Sequence, residues 1–86
     1  MNKLKYFTAK WCGPCRFFRP TINELVDEGY DIEIVDIDDD AQSSHDHQVM
    51  SVPTLIFERG GEVYARTSGV IPRSEVIKAL DWNPDT

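Results

Sequence analysis

Cys12 and Cys15 are the only two cysteines of the chain, and only Gly13 and Pro14 separate them. That spacing lets the two sulfurs close into a small disulfide and open again. So short a loop removes little entropy from the unfolded chain, which makes the bond a poor staple for a fold. A pair that stabilises little and switches easily suits dithiol–disulfide exchange. Two metal readings compete and are weaker. Cys12, Cys15, His45 and His47 would supply four zinc ligands, but zinc-site histidines are usually spaced by three to five residues and only Asp46 separates these. Asp36, Asp38 and Asp40 follow the odd-position spacing of a calcium loop, yet Ala41 stands where that loop needs glycine and His47 where it needs glutamate. The aspartates read instead as a strand end followed by a solvated turn, and both histidines as parts of a solvated helix face or loop. No metal is expected.

The elements that must hold the cysteines can be read from periodicity. Lys3 to Ala9 predicts a strand, with Leu4, Tyr6 and Thr8 on one face and Lys5, Phe7 and Ala9 on the other. A helix is expected to begin at Gly13 or Pro14, because proline in the first turn lacks only an N–H that has no partner there. Phe17, Phe18, Ile22, Leu25 and Val26 recur at helical spacing and predict its core-facing stripe. Pro20 should kink this helix and Gly29 should end it. Asp31 to Asp38 predicts a second strand, and Ala41 to His47 a short polar helix. Thr54–Glu58 and Glu62–Thr67 predict a hairpin across Gly60-Gly61, a pair suited to a turn with positive φ at both central positions. A last helix should start near Pro72, carry Val76, Ile77 and Leu80 on one side, and stop at Asn83-Pro84. The order β-α-β-α-β-β-α, with a right-handed parallel first crossover, predicts an α/β fold: a four-stranded mixed sheet flanked by helices on both faces.

Composition narrows the field. Eighty-six residues make one domain, expected over 1–86, which buries only about 60–65% of the unfolded surface. The net charge of −6 argues against a nucleic-acid partner, which would want a basic face. No stretch approaches the roughly 20 apolar residues of a membrane span, and the N-terminal segment reads as a strand rather than a signal peptide. A reducing cytoplasm is the expected location, and there a CxxC pair is more often catalytic or metal-binding than structural.

Several segments together resemble the thioredoxin family: Phe7 through Arg16 with its WCGPC core, Pro20, Asp36-Ile37-Asp38, Ser51-Val52-Pro53-Thr54-Leu55, Gly60-Gly61-Glu62-Val63 and Gly69. The similarity runs over about residues 2 to 82. WCGPC joined to a VPT segment some forty residues later is far more specific than CxxC alone. The resemblance implies a thioredoxin-like fold and a protein dithiol–disulfide oxidoreductase. Three departures stand out. The chain begins at the strand leading into the redox motif, without the family's usual preceding strand and helix. Tyr6 stands where the family usually buries an aspartate, six residues before the first cysteine. Ile34 stands where a lysine often partners that aspartate. The proton acceptor for the second chemical step is therefore open.

Within this frame Cys12, at the helix N-terminus, is the expected attacking thiol, since the helix end favours a thiolate. Cys15, one turn inside, is the expected resolving thiol and should be the more buried. The resemblance implies a cis Val52–Pro53 bond that turns the loop toward Cys12 and leaves Val52 backbone groups free to pair with an extended substrate. Trp11, Gly13, Pro14, Val52, Gly69 and Val70 should form an apolar rim around an exposed Cys12 thiol, with Pro53 beside it. No bound cofactor is expected, the cysteines themselves being the redox group. The resemblance implies recycling by an NADPH-dependent thioredoxin reductase, and disulfide-bearing client proteins, of which ribonucleotide reductase is one. A monomer is expected. Two alternatives remain: a glutaredoxin-like enzyme drawing on glutathione, suggested by length but opposed by Trp11 and Gly13-Pro14, and a non-catalytic binding module on the same fold.

Overall fold

Seven elements follow one another in the computed structural model, which describes residues 1–85; Thr86, the last residue of the expected domain, lies outside the described residues. They are β1 (Asn2–Thr8), α1 (Gly13–Asp27), β2 (Ile32–Asp36), α2 (Ala41–Asp46), β3 (Thr54–Arg59), β4 (Glu62–Ser68) and α3 (Arg73–Leu80). The strands form one mixed sheet in the order β2-β1-β3-β4. β1 and β2 are parallel, with Tyr6 opposite Ile34 and Thr8 opposite Asp36. β1–β3 and β3–β4 are antiparallel. This is the α/β fold with a four-stranded mixed sheet that the element order implied, in the thioredoxin-like arrangement that the resemblance implied. Gly60 and Gly61 turn the β3–β4 hairpin with φ of 59° and 86°, the positive pair that a two-residue primed turn demands.

The two faces of the sheet are finished differently. On one, Leu4, Tyr6, Leu55 and Phe57 pack against Phe18, Ile22 and Leu25 of α1 and Val76 and Leu80 of α3. This is the larger core. On the other, Phe7, Val35 and Ile56 make a smaller cluster, covered by Ile37 and Val49. The rest of that face is ionic. Lys3 pairs with Glu33 at 3.0 Å and Lys5 with Glu58 at 3.2 Å. His47 belongs here too, with its Nε2 3.3 Å from the Lys5 ammonium and its ring 5.3 Å from that of Phe7. His47 is thus half-buried on the sheet, contrary to the expected solvated position, whereas His45 is exposed. Charges that partner one another across strands cover a face that has few apolar residues to bury.

The stripe on α1 differs from expectation. Cys15, Phe18, Ile22 and Leu25 are its buried residues. Phe17 is 77% exposed and Val26 39% exposed. The buried set advances by three, four and three residues, which follows one helix face. Phe17 and Val26 each sit beside a member of that set and so turn away by about 100°. Pro20 lies inside α1, which continues through it to Asp27. Gly29, at φ 99°, takes the left-handed position just past the helix end. β2 is shorter than the expected Asp31–Asp38. Its end is set by Asp36, whose carbonyl accepts the N–H groups of Asp39 and Asp40 and so starts a turn. α3 ends at Leu80, before Asn83-Pro84. No helix among the described residues is long and apolar enough to cross a membrane.

Candidate functional site

β1 delivers the chain to the site, and α1 receives it one turn later. Cys12 is the N-cap residue of α1, in extended conformation, and Pro14 occupies the first turn. The Cys12 sulfur takes the place usually held by a serine or aspartate oxygen and accepts the Cys15 N–H at 3.2 Å. Cys12 and Cys15 are joined in a disulfide with their Cα atoms 5.3 Å apart. Cys15 is 1% exposed and Cys12 5%. The order of burial is as expected, but neither sulfur stands freely exposed. Ala9, Ile37 and Val52 pack around the pair.

The geometry indicates how a Cys12 thiolate would be held in the reduced protein. Lowering a thiol from about 8.5 to near neutrality takes roughly 2 kcal/mol of preference for the anion. A helix N-terminus contributes about 0.3–1 kcal/mol, reaching about 2 where partly buried. A hydrogen bond to a charged acceptor adds about 1.5–3 kcal/mol. The Cys15 N–H therefore matters at least as much as the macrodipole. Together the two leave a margin against the desolvation of a largely covered sulfur.

The loop before β3 forms the other side of the site. The Val52–Pro53 peptide bond is cis, as the resemblance implied. The Val52 carbonyl oxygen lies 3.6 Å from the Cys12 sulfur. Pro53 is buried, and its carbonyl accepts the Gly69 N–H at 2.8 Å, which ties the segment after β4 to this loop. Arg66 steadies the approach from α2 by donating to the carbonyls of His47 and Gln48. Of the residues expected in the rim, Trp11, Gly13, Pro14 and Val70 are exposed, and Val52 and Gly69 are half-buried.

Trp11 has a partner that its position in the motif did not suggest. Its indole N–H donates to Asp38 Oδ2 at 2.9 Å while the residue stays 67% exposed. Asp36 in turn accepts the Asp38 N–H at 2.9 Å, and Asp40 caps α2 through the Ser43 N–H at 3.0 Å. The three aspartates thus build a strand end and turn. No group of three or more His, Cys, Asp or Glu side chains among the described residues is arranged to hold a metal ion. Beneath the disulfide, Tyr6 is fully buried and donates its hydroxyl to the Cys15 carbonyl at 3.2 Å. Burial pushes the Tyr6 hydroxyl above its ordinary value, opposed by the Thr8 hydroxyl and the Arg19 charge.

A Cys-Gly-Pro-Cys disulfide at a helix N-terminus, faced by a cis-proline loop on a mixed sheet, defines a thiol–disulfide oxidoreductase. The thioredoxin family profile matches residues 2–82. Thioredoxin from Staphylococcus epidermidis is 37% identical over 82 residues, spanning 92% of this chain and 79% of that protein. Thioredoxin from Streptomyces clavuligerus is 38% identical over 74 residues, spanning 84% of this chain and 69% of that protein. Among solved structures, Fasciola hepatica thioredoxin superposes with a TM-score of 0.83 at 27% identity, over 92% of this chain and 77% of that one. A mutant thioredoxin from Halobacterium salinarum gives a TM-score of 0.86 at 25% identity, over 93% of this chain and 72% of that one. The chain belongs to the thioredoxin family.

Proposed function

We propose that the protein reduces disulfides of other proteins by a two-step exchange at Cys12 and Cys15. The Cys12 thiolate attacks one sulfur of the substrate disulfide. A Cys12–substrate bond forms, the substrate S–S bond breaks, and the departing thiolate takes up a proton. Deprotonated Cys15 then attacks Cys12, the mixed disulfide breaks, and the second substrate thiol leaves with a proton of its own. The single observation that carries this reading is the Cys12 sulfur capping α1 and accepting the Cys15 N–H at 3.2 Å. It makes Cys12 the better nucleophile and puts Cys15 within reach to resolve.

Trp11, Gly13, Pro14, Val52, Pro53, Gly69 and Val70 bind the substrate segment. Among the described residues the Val52 N–H donates no hydrogen bond, and the Val52 carbonyl oxygen lies 3.6 Å from the Cys12 sulfur. An extended peptide can therefore pair with Val52 as an added strand and bring its disulfide over Cys12. The protein works as a single cytoplasmic domain and a monomer. The cysteine pair is its only redox group, and a thioredoxin reductase using NADPH returns it to the dithiol. Ribonucleotide reductase is a client of suitable chemistry.

Insulin reduction with each donor supplied separately tests the reading. Thioredoxin reductase with NADPH should sustain turnover, glutathione should not, and Cys12→Ser should abolish it. Turnover with glutathione alone would transfer the protein to glutaredoxin-like chemistry. Full biological function in Cys12→Ser would make it a binding module.

A further inference from the structure

A cleft of about 640 Å³ opens between α1 and the free edge of β2, away from the rim. Thr8, Ala9, Cys15, Ile34 and Asp36 are among the residues that line it. Resolution requires the Cys15 thiol to lose its proton, and Cys15 is 1% exposed. The Tyr6 hydroxyl lies 3.2 Å from the Cys15 carbonyl oxygen. It is already donating to the Cys15 carbonyl, and burial raises its pKa, so it does not accept the proton. The cleft is large enough for water and joins Cys15 to a carboxylate.

Asp36 is the carboxylate so placed. It lies opposite Thr8 in the β1–β2 register. It alternates with Ile32 and Ile34, which pack on the α1 side of the sheet, so it shares that side. One Asp36 oxygen accepts the Asp38 N–H, and no hydrogen bond or ion pair reaches the other among the described residues. The remaining acids near the cleft are engaged elsewhere. Glu33 pairs with Lys3 on the opposite face. Asp39 faces Lys10 at 3.8 Å, and Asp40 caps α2. Arg16 and Arg19 also line the cleft, and their fixed positive charges favour the Cys15 thiolate as it forms.

We propose that Asp36, acting through water in this cleft, accepts the proton of Cys15 during resolution. The proposal rests on the two-step exchange above. The proton passes from the Cys15 thiol through water to the Asp36 carboxylate. The sulfur electron pair forms the Cys12–Cys15 bond, the Cys12–substrate bond breaks, and its electron pair leaves on the substrate sulfur, which is then protonated. No further oxidant or reductant enters.

Stopped-flow reaction of the reduced protein with an aromatic disulfide that releases a coloured thiolate separates the steps. The first equivalent reports Cys12 attack and the second reports resolution. Asp36→Asn keeps the acceptor for the Asp38 N–H and should leave the first phase unchanged. It should slow the second by about tenfold near pH 6–7, less than a base in direct contact would contribute. The gap should close in strong alkali, where hydroxide takes the thiol proton without help. Asp36→Glu should restore most of the rate. In the unmodified protein, the second phase should fall by less than tenfold from pH 7 to pH 6. A tenfold fall over that unit, a pH-independent slowing in Asp36→Asn, or equal slowing of both phases would overturn the assignment. A missing second phase in the unmodified protein would instead overturn the two-step exchange itself.

Discussion

Replacing Tyr6 with phenylalanine separates the two things this residue does. Its ring is fully buried and meets Phe18 edge-on, with centroids 5.8 Å apart at 80°. Its hydroxyl makes one neutral hydrogen bond to the Cys15 carbonyl. Tyr6→Phe keeps the ring and its packing and deletes the bond, so the expected loss is about 1 kcal/mol. For a domain of this size that lowers Tm by roughly 4–8 °C. The change should also reshape the alkaline limb. Burial raises the folded-state pKa of Tyr6 above the ordinary tyrosine value of 10.0. A group raised in this way contributes stability that is complete below its unfolded pKa and is lost as pH climbs through the folded value. The oxidised protein should therefore lose stability above about pH 10, and Tyr6→Phe should lose less. Tyr64, raised by its own burial, keeps part of the slope in the variant. Urea unfolding at neutral pH and across the alkaline range measures both effects. A neutral-pH change below about 0.3 kcal/mol, a loss above about 3 kcal/mol, or identical alkaline slopes would refute the reasoning. Tyr6→Asp would be a poor probe of chemistry. It empties a core site and buries a carboxylate, at a cost of about 3–5 kcal/mol before any step is timed.

Two further outcomes follow from the packing. Phe17→Ser should change stability by less than about 0.5 kcal/mol in urea titration, because the side chain is 77% exposed, whereas Phe18→Ala should cost about 3–5 kcal/mol. Glu58→Ala removes a nearly buried carboxylate that lies 3.2 Å from the Lys5 ammonium and 3.7 Å from the His47 ring. It should cost about 1–3 kcal/mol by the same titration, well above an exposed ion pair such as Lys10–Asp39, whose removal by Lys10→Ala should stay within about 0.5 kcal/mol.

The redox turn, the hairpin and the order of elements along the chain were legible because each rests on local chemistry. Cys12, Pro14 and Cys15 carry their own capping geometry, and Gly60-Gly61 specifies its turn. The arc of α1 that meets the sheet was not legible, since Phe17 and Phe18 are equally apolar and adjacent. Only contact with Tyr6, Leu55 and Phe57 selects Phe18. The place of His47 depends on Lys5 and Glu58, which are distant in sequence, so no local pattern announces it. Likewise, Tyr6 could be read as a core aromatic or as a substitute for an acid. Its hydrogen bond to Cys15 shows a third role, support of the turn from below. Trp11 was expected beside the sulfurs on the strength of its motif, but its tie to Asp38 crosses from the redox turn to the end of β2.

We infer that Cys12 of the reduced protein is held as a thiolate by the end of α1 and the Cys15 N–H. Iodoacetamide labelling of the reduced protein across pH, with each cysteine followed by mass spectrometry, tests it most directly. Cys12 should react first, along a curve whose midpoint lies well below the ordinary thiol value of about 8.5, while Cys15 stays protected. Labelling of Cys12 only along the ordinary thiol curve, or of Cys15 ahead of it, would contradict the account.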